Sequence, residues 1–120
     1  MTEMSYEERV RQAKTRIAEV TAAETIERRS AERELVLLDV REANEWSLFR
    51  IPGAVHVPLG SVGQRAGDAI PRDRDVVIYC ASGNRSALAA DTLREMGYER
   101  VASLAGGIRG WVSAGGEIEQ

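Results

Sequence analysis

The chain reads as a single α/β domain: a central, mainly parallel sheet of about five strands with helices on both faces. Three observations carry that reading. Leu35–Asp39 (LVLLD) and Asp75–Cys80 (DVVIYC) are apolar runs without alternation, as strands covered on both faces are. Strand-sized apolar segments take turns with helical ones along the chain, which is the βα pattern of a parallel sheet. The 120 residues suffice for one hydrophobic core but not for two ordinary ones.

The elements follow in order. Ser5-x-x-Glu8 is a capping-box spacing, and Tyr6, Val10, Ala13 and Ile17 then recur at helical intervals. This narrow stripe predicts a helical arm over residues 1–16, laid on the outside of a domain spanning 17–120. Ile17 to Val20 fits either the end of that helix or a short strand. Thr21-x-x-Glu24 opens a second helix running to about Arg29. After the LVLLD strand comes the helical turn REANEW, and Val55–Val57 forms a brief strand between prolines, which cannot donate to a ladder. Gly60 to Ala66 is loop or short helix. DVVIYC is the second buried strand. Ser86 to Met96 is helical, with Gly97 suited to a left-handed C-terminal position. RVASL is a further strand, and GGIRGWVSAGG is a turn leading into a last short helix.

Composition narrows the function classes. Hydrophobic residues make up 43% and charged residues 29%, as in a globular chain. The net charge of −3 comes without any long one-sign block, so neither a nucleic-acid nor a membrane partner is expected. A single cysteine excludes an internal disulfide. The polar start MTEMSYEERVRQ lacks the apolar core of a signal peptide, and no apolar run approaches the roughly 20 residues of a membrane helix. A cytoplasmic, reducing setting is the expectation.

That single cysteine, Cys80, stands where a buried strand gives way to a helix. In a parallel sheet this is the end where ligands bind. A thiol reacts as thiolate, and positive potential favours the thiolate. The helix following the loop points free N–H groups and its dipole at the cysteine. Ala81, Ser82 and Gly83 leave their amides uncovered, Asn84 and Ser86 continue the anion-binding loop, and Arg85 closes it with a fixed charge. A buried cysteine is more commonly just a small apolar residue. The junction, the bare loop and Arg85 together favour a nucleophile.

The stretch Cys80-Ala81-Ser82-Gly83-Asn84-Arg85-Ser86 resembles the active-site loop of single-domain rhodaneses, which are sulfurtransferases. LLDVREANEW is similar to that family's Asp-x-Arg-Glu stretch, IPGAVHVP to its Ile-Pro-Gly-Ala segment, and LAGGIRGW to its closing Gly-Gly-x-x-x-Trp turn. Together these span Val36 to Trp111. Phe49-Arg50 stand where many relatives have Gly-His. The resemblance implies a Cys80 persulfide, loaded by a small anionic sulfur donor such as thiosulfate and unloaded by cyanide or a thiol. Cys80 and Arg85 would be catalytic, residues 81–84 and 86 would bind the anion, and no cofactor or metal would be needed. A protein could serve as sulfur donor or acceptor, and the arm could support an oligomer.

Other residues carry weaker signals. Asp39 and Arg41 end a central strand, so they are candidates behind the loop; a salt bridge tying the strand end to the next helix is the favoured role. Arg41, Arg50 and the Gly60–Asp68 segment are candidates for the rim that selects substrates. His56 lies mid-strand and is left out of the site, Trp46 and Trp111 read as packing, and Gly106-Gly107 reads as turn geometry. Two alternatives remain. Cysteine phosphatases and arsenate reductases use Cys-x5-Arg loops, one residue longer than the Cys-x4-Arg spacing here. A rhodanese-like binding module would do little catalysis.

Overall fold

The computed structural model describes residues 3–120. In chain order the elements are α1 (Tyr6–Lys14), β1 (Ala18–Val20), α2 (Ala22–Ala31), β2 (Val36–Asp39), α3 (Ala43–Leu48), β3 (Val55–His56), α4 (Val62–Ala69), β4 (Val76–Tyr79), α5 (Asn84–Glu95), β5 (Val101–Leu104) and α6 (Gly107–Ser113). A 3₁₀ turn, Leu59–Ser61, leads into α4. The strands form one parallel sheet in the order β1-β5-β4-β2-β3. The segment from Ile17 is therefore a strand from Ala18, and Gly60–Ala66, expected as loop or short helix, passes from the 3₁₀ turn into a helix that runs on to Ala69. Among the described residues no helix is long and apolar enough to cross a membrane.

The lack of alternation in β2 and β4 has a direct cause. Successive side chains point to opposite faces of a sheet, and both faces here are covered. Leu38, Val76, Ile78 and Cys80 pack with Val62 and Ala66 of α4 and Ala89, Ala90 and Leu93 of α5. Leu37, Val77 and Tyr79 pack with Ala22 of α2 and Ile108 and Trp111 of α6. At about 25 cal/mol per Å² of apolar surface, this two-sided burial is the main stabilising contribution.

α1 lies on α5. Its Val10 and Ala13 are buried, and beyond its end Arg16 grips Asp91 of α5 at 2.7–3.3 Å. The N-caps differ in detail from complete capping boxes. Ser5 Oγ accepts from the Glu8 amide at 3.1 Å. Thr21 Oγ1 accepts from the Glu24 amide at 3.1 Å, and its hydroxyl donates to the Glu24 carboxylate at 3.0 Å.

α6 fixes the end of β4. Its first amides reach back to the strand, Ile108 N–H to the Cys80 carbonyl at 2.8 Å and Arg109 N–H to the Ala81 carbonyl at 3.3 Å. That approach requires glycine at 107: φ is +58°, and a Cβ there would stand 2.5 Å from the Cys80 and Ala81 carbonyl oxygens. Gly107→Ala is expected to lower stability by about 2–4 kcal/mol, combining backbone strain with displacement of main chain. Gly60, with nothing within 4 Å of an added Cβ, is the control, and Gly60→Ala should stay within roughly 0.5 kcal/mol. Urea unfolding of the two variants makes the comparison.

Candidate active site

Cys80 follows the last residue of β4 and is 1% exposed. α5 begins at Asn84, two residues before the expected start near Ser86, so only Ala81, Ser82 and Gly83 separate the cysteine from the helix. The turn is made by Gly83 at φ +109°, a left-handed conformation that glycine adopts at little cost. Asn84, Arg85 and Ser86 are thus the first turn of α5, whose amides have no partners within the helix.

These amides converge on the sulfur. Gly83 N–H reaches Cys80 Sγ at 3.1 Å and Ser86 N–H at 3.4 Å. The Ser86 hydroxyl lies 3.5 Å from Sγ. It is in turn 2.8 Å from the hydroxyl of Ser103 on β5, and both serines are fully buried. Burial pushes the Cys80 thiol up. The Ser86 hydroxyl and the amides of Ser86, Gly83 and Ser82 outweigh it, and the thiol is held below its ordinary value. The arrangement is a thiolate cup of neutral dipoles, which favours negative charge on sulfur without a neighbouring cation in hydrogen-bond contact.

Arg85 has a different partner. Its Nη1 and Nη2 meet Glu45 Oε1 and Oε2 at 2.7 and 3.0 Å. Hydrogen bonding to Glu45 raises the guanidinium. The same contact, against the burial that opposes it, lowers Glu45 to about 2. Both outer nitrogens are engaged, so Arg85 acts in this geometry as a positioning residue that anchors the loop to α3. Glu45 Oε1 also accepts the Glu42 N–H at 3.0 Å, joining the start of α3 to the start of α5.

The other expected residues fall into place around this cup. Ala81 offers its carbonyl to α6. The Asn84 side chain meets Lys14 of α1 at 3.4 Å. Asp39 and Arg41 do not reach the loop. Arg41 is 2% exposed and turned to Asp39 at 2.8–3.1 Å and to the Phe49 carbonyl at 2.7 Å, so the expectation of Arg41 at an accessible rim is corrected. A charge this deep needs full pairing, and the only carboxylate of β2 supplies it. Arg50 pairs with Glu119 and lies over Trp46. His56 stacks on Trp46 at 4.7 Å, with Nε2 2.8 Å from the Arg41 carbonyl oxygen.

Sequence reasoning missed Glu45, Ser103 and the steric role of Gly107. Glu42-x-x-Glu45 carries the spacing of a capping pair, and that was the available signal. Nothing in a lone serine of RVASL marks Ser103.

Two substitutions test the cup. Ser86→Ala should raise the apparent thiol pKa, and Ser103→Ala should raise it by less, because Ser103 acts through Ser86. Iodoacetamide alkylation of Cys80 against pH reads both, and Ser103→Thr should restore the native profile. Glu45→Gln removes a carboxylate whose folded value is depressed. Its stabilisation is full above its ordinary 4.5 and is lost as pH falls toward about 2. The variant should lose about 1–2 kcal/mol at neutral pH, allowing for partial exposure, and show a flatter acid limb in stability against pH.

Residues 21–114 match the family model of the Rhodanese-like domain. A protein of Allochromatium vinosum named Sulfurtransferase is 44% identical over 94 residues, 78% of this chain and 87% of that one. YrkF, a candidate sulfur carrier protein of Bacillus subtilis, is 43% identical over 77 residues, 64% of this chain, and the match spans 41% of that longer relative. Among solved structures, a protein of unknown function from Rhodopseudomonas palustris CGA009, described as a possible tyrosine phosphatase, superposes with a TM-score of 0.87 at 32% identity. That superposition covers 99% of this chain and 97% of the other. The chain therefore belongs to the rhodanese-like domain family, among relatives named as sulfurtransferases.

Proposed function

We propose that the protein transfers a sulfane sulfur through a persulfide on Cys80, taking it from a small anionic donor such as thiosulfate and giving it to cyanide or a thiol. The observation that carries this reading is the set of N–H and O–H donors around a buried, otherwise uncompensated sulfur. In the first half-reaction the Cys80 thiolate attacks the outer sulfur of thiosulfate. A Cys80–sulfur bond forms, the sulfur–sulfur bond of the donor breaks, and sulfite leaves with the electron pair. In the second, the acceptor attacks the outer sulfur of the persulfide. Thiocyanate or an acceptor persulfide leaves, and Cys80 departs as thiolate, its charge again received by the Gly83 and Ser86 amides. Donors fixed in advance at a site of developing charge cost no reorganisation during the reaction, and one residue acting as nucleophile and carrier gives ping-pong kinetics.

Arg85 supports this chemistry through the loop. With Glu45 it fixes where the first turn of α5 sits, and small misplacements of a reacting site are costly. The likeness to a possible tyrosine phosphatase makes phosphate-ester hydrolysis the contrasting chemistry. The Cys-x4-Arg loop supports sulfur over phosphate, because a shorter loop encloses a smaller anion.

Thiosulfate treatment followed by intact-mass measurement should show one added sulfur atom on Cys80, removed by cyanide with formation of thiocyanate. Cys80→Ser should abolish the adduct and turnover while the circular dichroism spectrum is retained. Arg85→Ala should lower thiosulfate kcat/KM by roughly tenfold or more, and Arg50→Ala by less than about twofold. Cys80-dependent hydrolysis of an aryl phosphate, without a sulfur adduct from any of several donors, would overturn the proposal.

A further inference from the structure

We propose that α1 and the first residue of α5 form the binding site for the sulfur acceptor, a thiol of small-peptide size carrying a free carboxylate. This rests on the sulfur-transfer reading, whose acceptor it specifies. All of the site's residues but Asn84 come from a segment outside the matched span of 21–114, so α1 adds to the family core.

Tyr6, Glu7, Val10, Arg11, Lys14 and Asn84 line a cleft of about 360 Å³. That volume is in the range of small-molecule sites and far exceeds what cyanide or thiosulfate requires. Its position ties it to the chemistry. Asn84 follows Gly83, whose amide holds the sulfur, and precedes Arg85. Lys14 Nζ stands 3.4 Å from Asn84 Oδ1 at the start of α5. An occupant of the cleft therefore lies against the outer side of the cysteine loop.

The lining defines what fits. Tyr6, Val10 and Lys14 recur at i, i+4 and i+8 on one helical face, and Glu7 and Arg11 recur at i and i+4 beside them. The Tyr6 ring, 44% exposed, and Val10 provide an apolar floor. Arg11 and Lys14 place two cations at one end, and Glu7 places an anion about one turn away. Among the described residues Arg11 makes no salt bridge, and the one salt bridge of Lys14 is a loose 4.0 Å contact with Glu19. Charge of this sign suits a carboxylate at the Arg11–Lys14 end, an ammonium group at Glu7, and a peptide or hydrocarbon body between them. The helix that forms the wall is attached to α5 by buried Val10 and Ala13 and by the Arg16–Asp91 contact, which places its backbone before a ligand arrives.

The test uses the full chain and a zwitterionic tripeptide thiol, glutathione. S-methylglutathione cannot accept sulfur. Titrated into labelled protein, it should shift the amide resonances of Tyr6 to Lys14 and of Asn84, and the Arg11→Glu/Lys14→Glu double variant should lose those shifts. With preloaded persulfide, the ratio of kcat/KM for glutathione to that for neutral 2-mercaptoethanol should fall about tenfold in the double variant. Shifts absent from α1, or an unchanged ratio, would overturn the proposal. Failure of thiosulfate to load Cys80 would instead strike the sulfur-transfer reading, and the titration, which needs no persulfide, would still decide whether the cleft binds.

Discussion

The site is organised around one constraint: a sulfur that is 1% exposed is set among groups that favour negative charge on it. Burial alone would keep the thiol neutral. The remedy is local and made of main chain, because Gly83 and the first turn of α5 present N–H groups that have no helical partners. A strand must therefore end and a helix begin within four residues of Cys80. The parallel sheet supplies that junction at its carboxyl edge, and two-sided burial of β4 holds the strand end in place.

The cup is also held from behind and from the side. Behind it, α6 hydrogen-bonds the Cys80 and Ala81 carbonyls, and only a glycine at 107 permits that distance. The carbonyls are drawn backward while the amides of the loop turn forward, so the peptide units of the loop carry opposite ends to opposite neighbours. At the side, Glu45 joins two helix starts through one carboxylate, accepting from Glu42 N–H and from Arg85. Anionic charge near two helix N-termini is favourable. Glu45 thus adds helix stabilisation while pairing Arg85, and the hydrogen bonds to the sulfur come from oriented dipoles.

The sequence disclosed some of this and hid the rest for physical reasons. β2 and β4 were legible because two-sided burial writes itself as unbroken apolar runs. β1 was ambiguous because its three residues at the sheet edge are mostly exposed and carry no such run. The start of α5 was placed two residues late because Asn84 and Arg85 are polar and the apolar periodicity begins after them; the amides, which no side-chain pattern encodes, set the true start. Cys80 stood out as the only cysteine at a strand end. Arg41 was misjudged because strand position fixes the place of a residue on the sheet edge and leaves open where a long side chain turns. Burial turned it toward Asp39 and Phe49, where its charge could be paired.

A cup this small also limits what it can recognise. Its donors surround one sulfur atom and, in the proposed reaction, would read charge and size, which thiosulfate, a small persulfide and a protein persulfide share. The buried Asp39–Arg41 pair has no exposed atoms to spare for substrate, and Arg85 has both outer nitrogens on Glu45. Discrimination among partners must then come from surfaces that the loop does not contain. The residues placed to supply it are those next to Asn84, a loop side chain that leaves the cup and meets another element. That element is α1, whose sequence lies outside the matched family span. On the proposed reading, the reacting centre and its selectivity are carried by different parts of the chain, the first by main-chain geometry that tolerates little change and the second by exposed side chains on a docked helix.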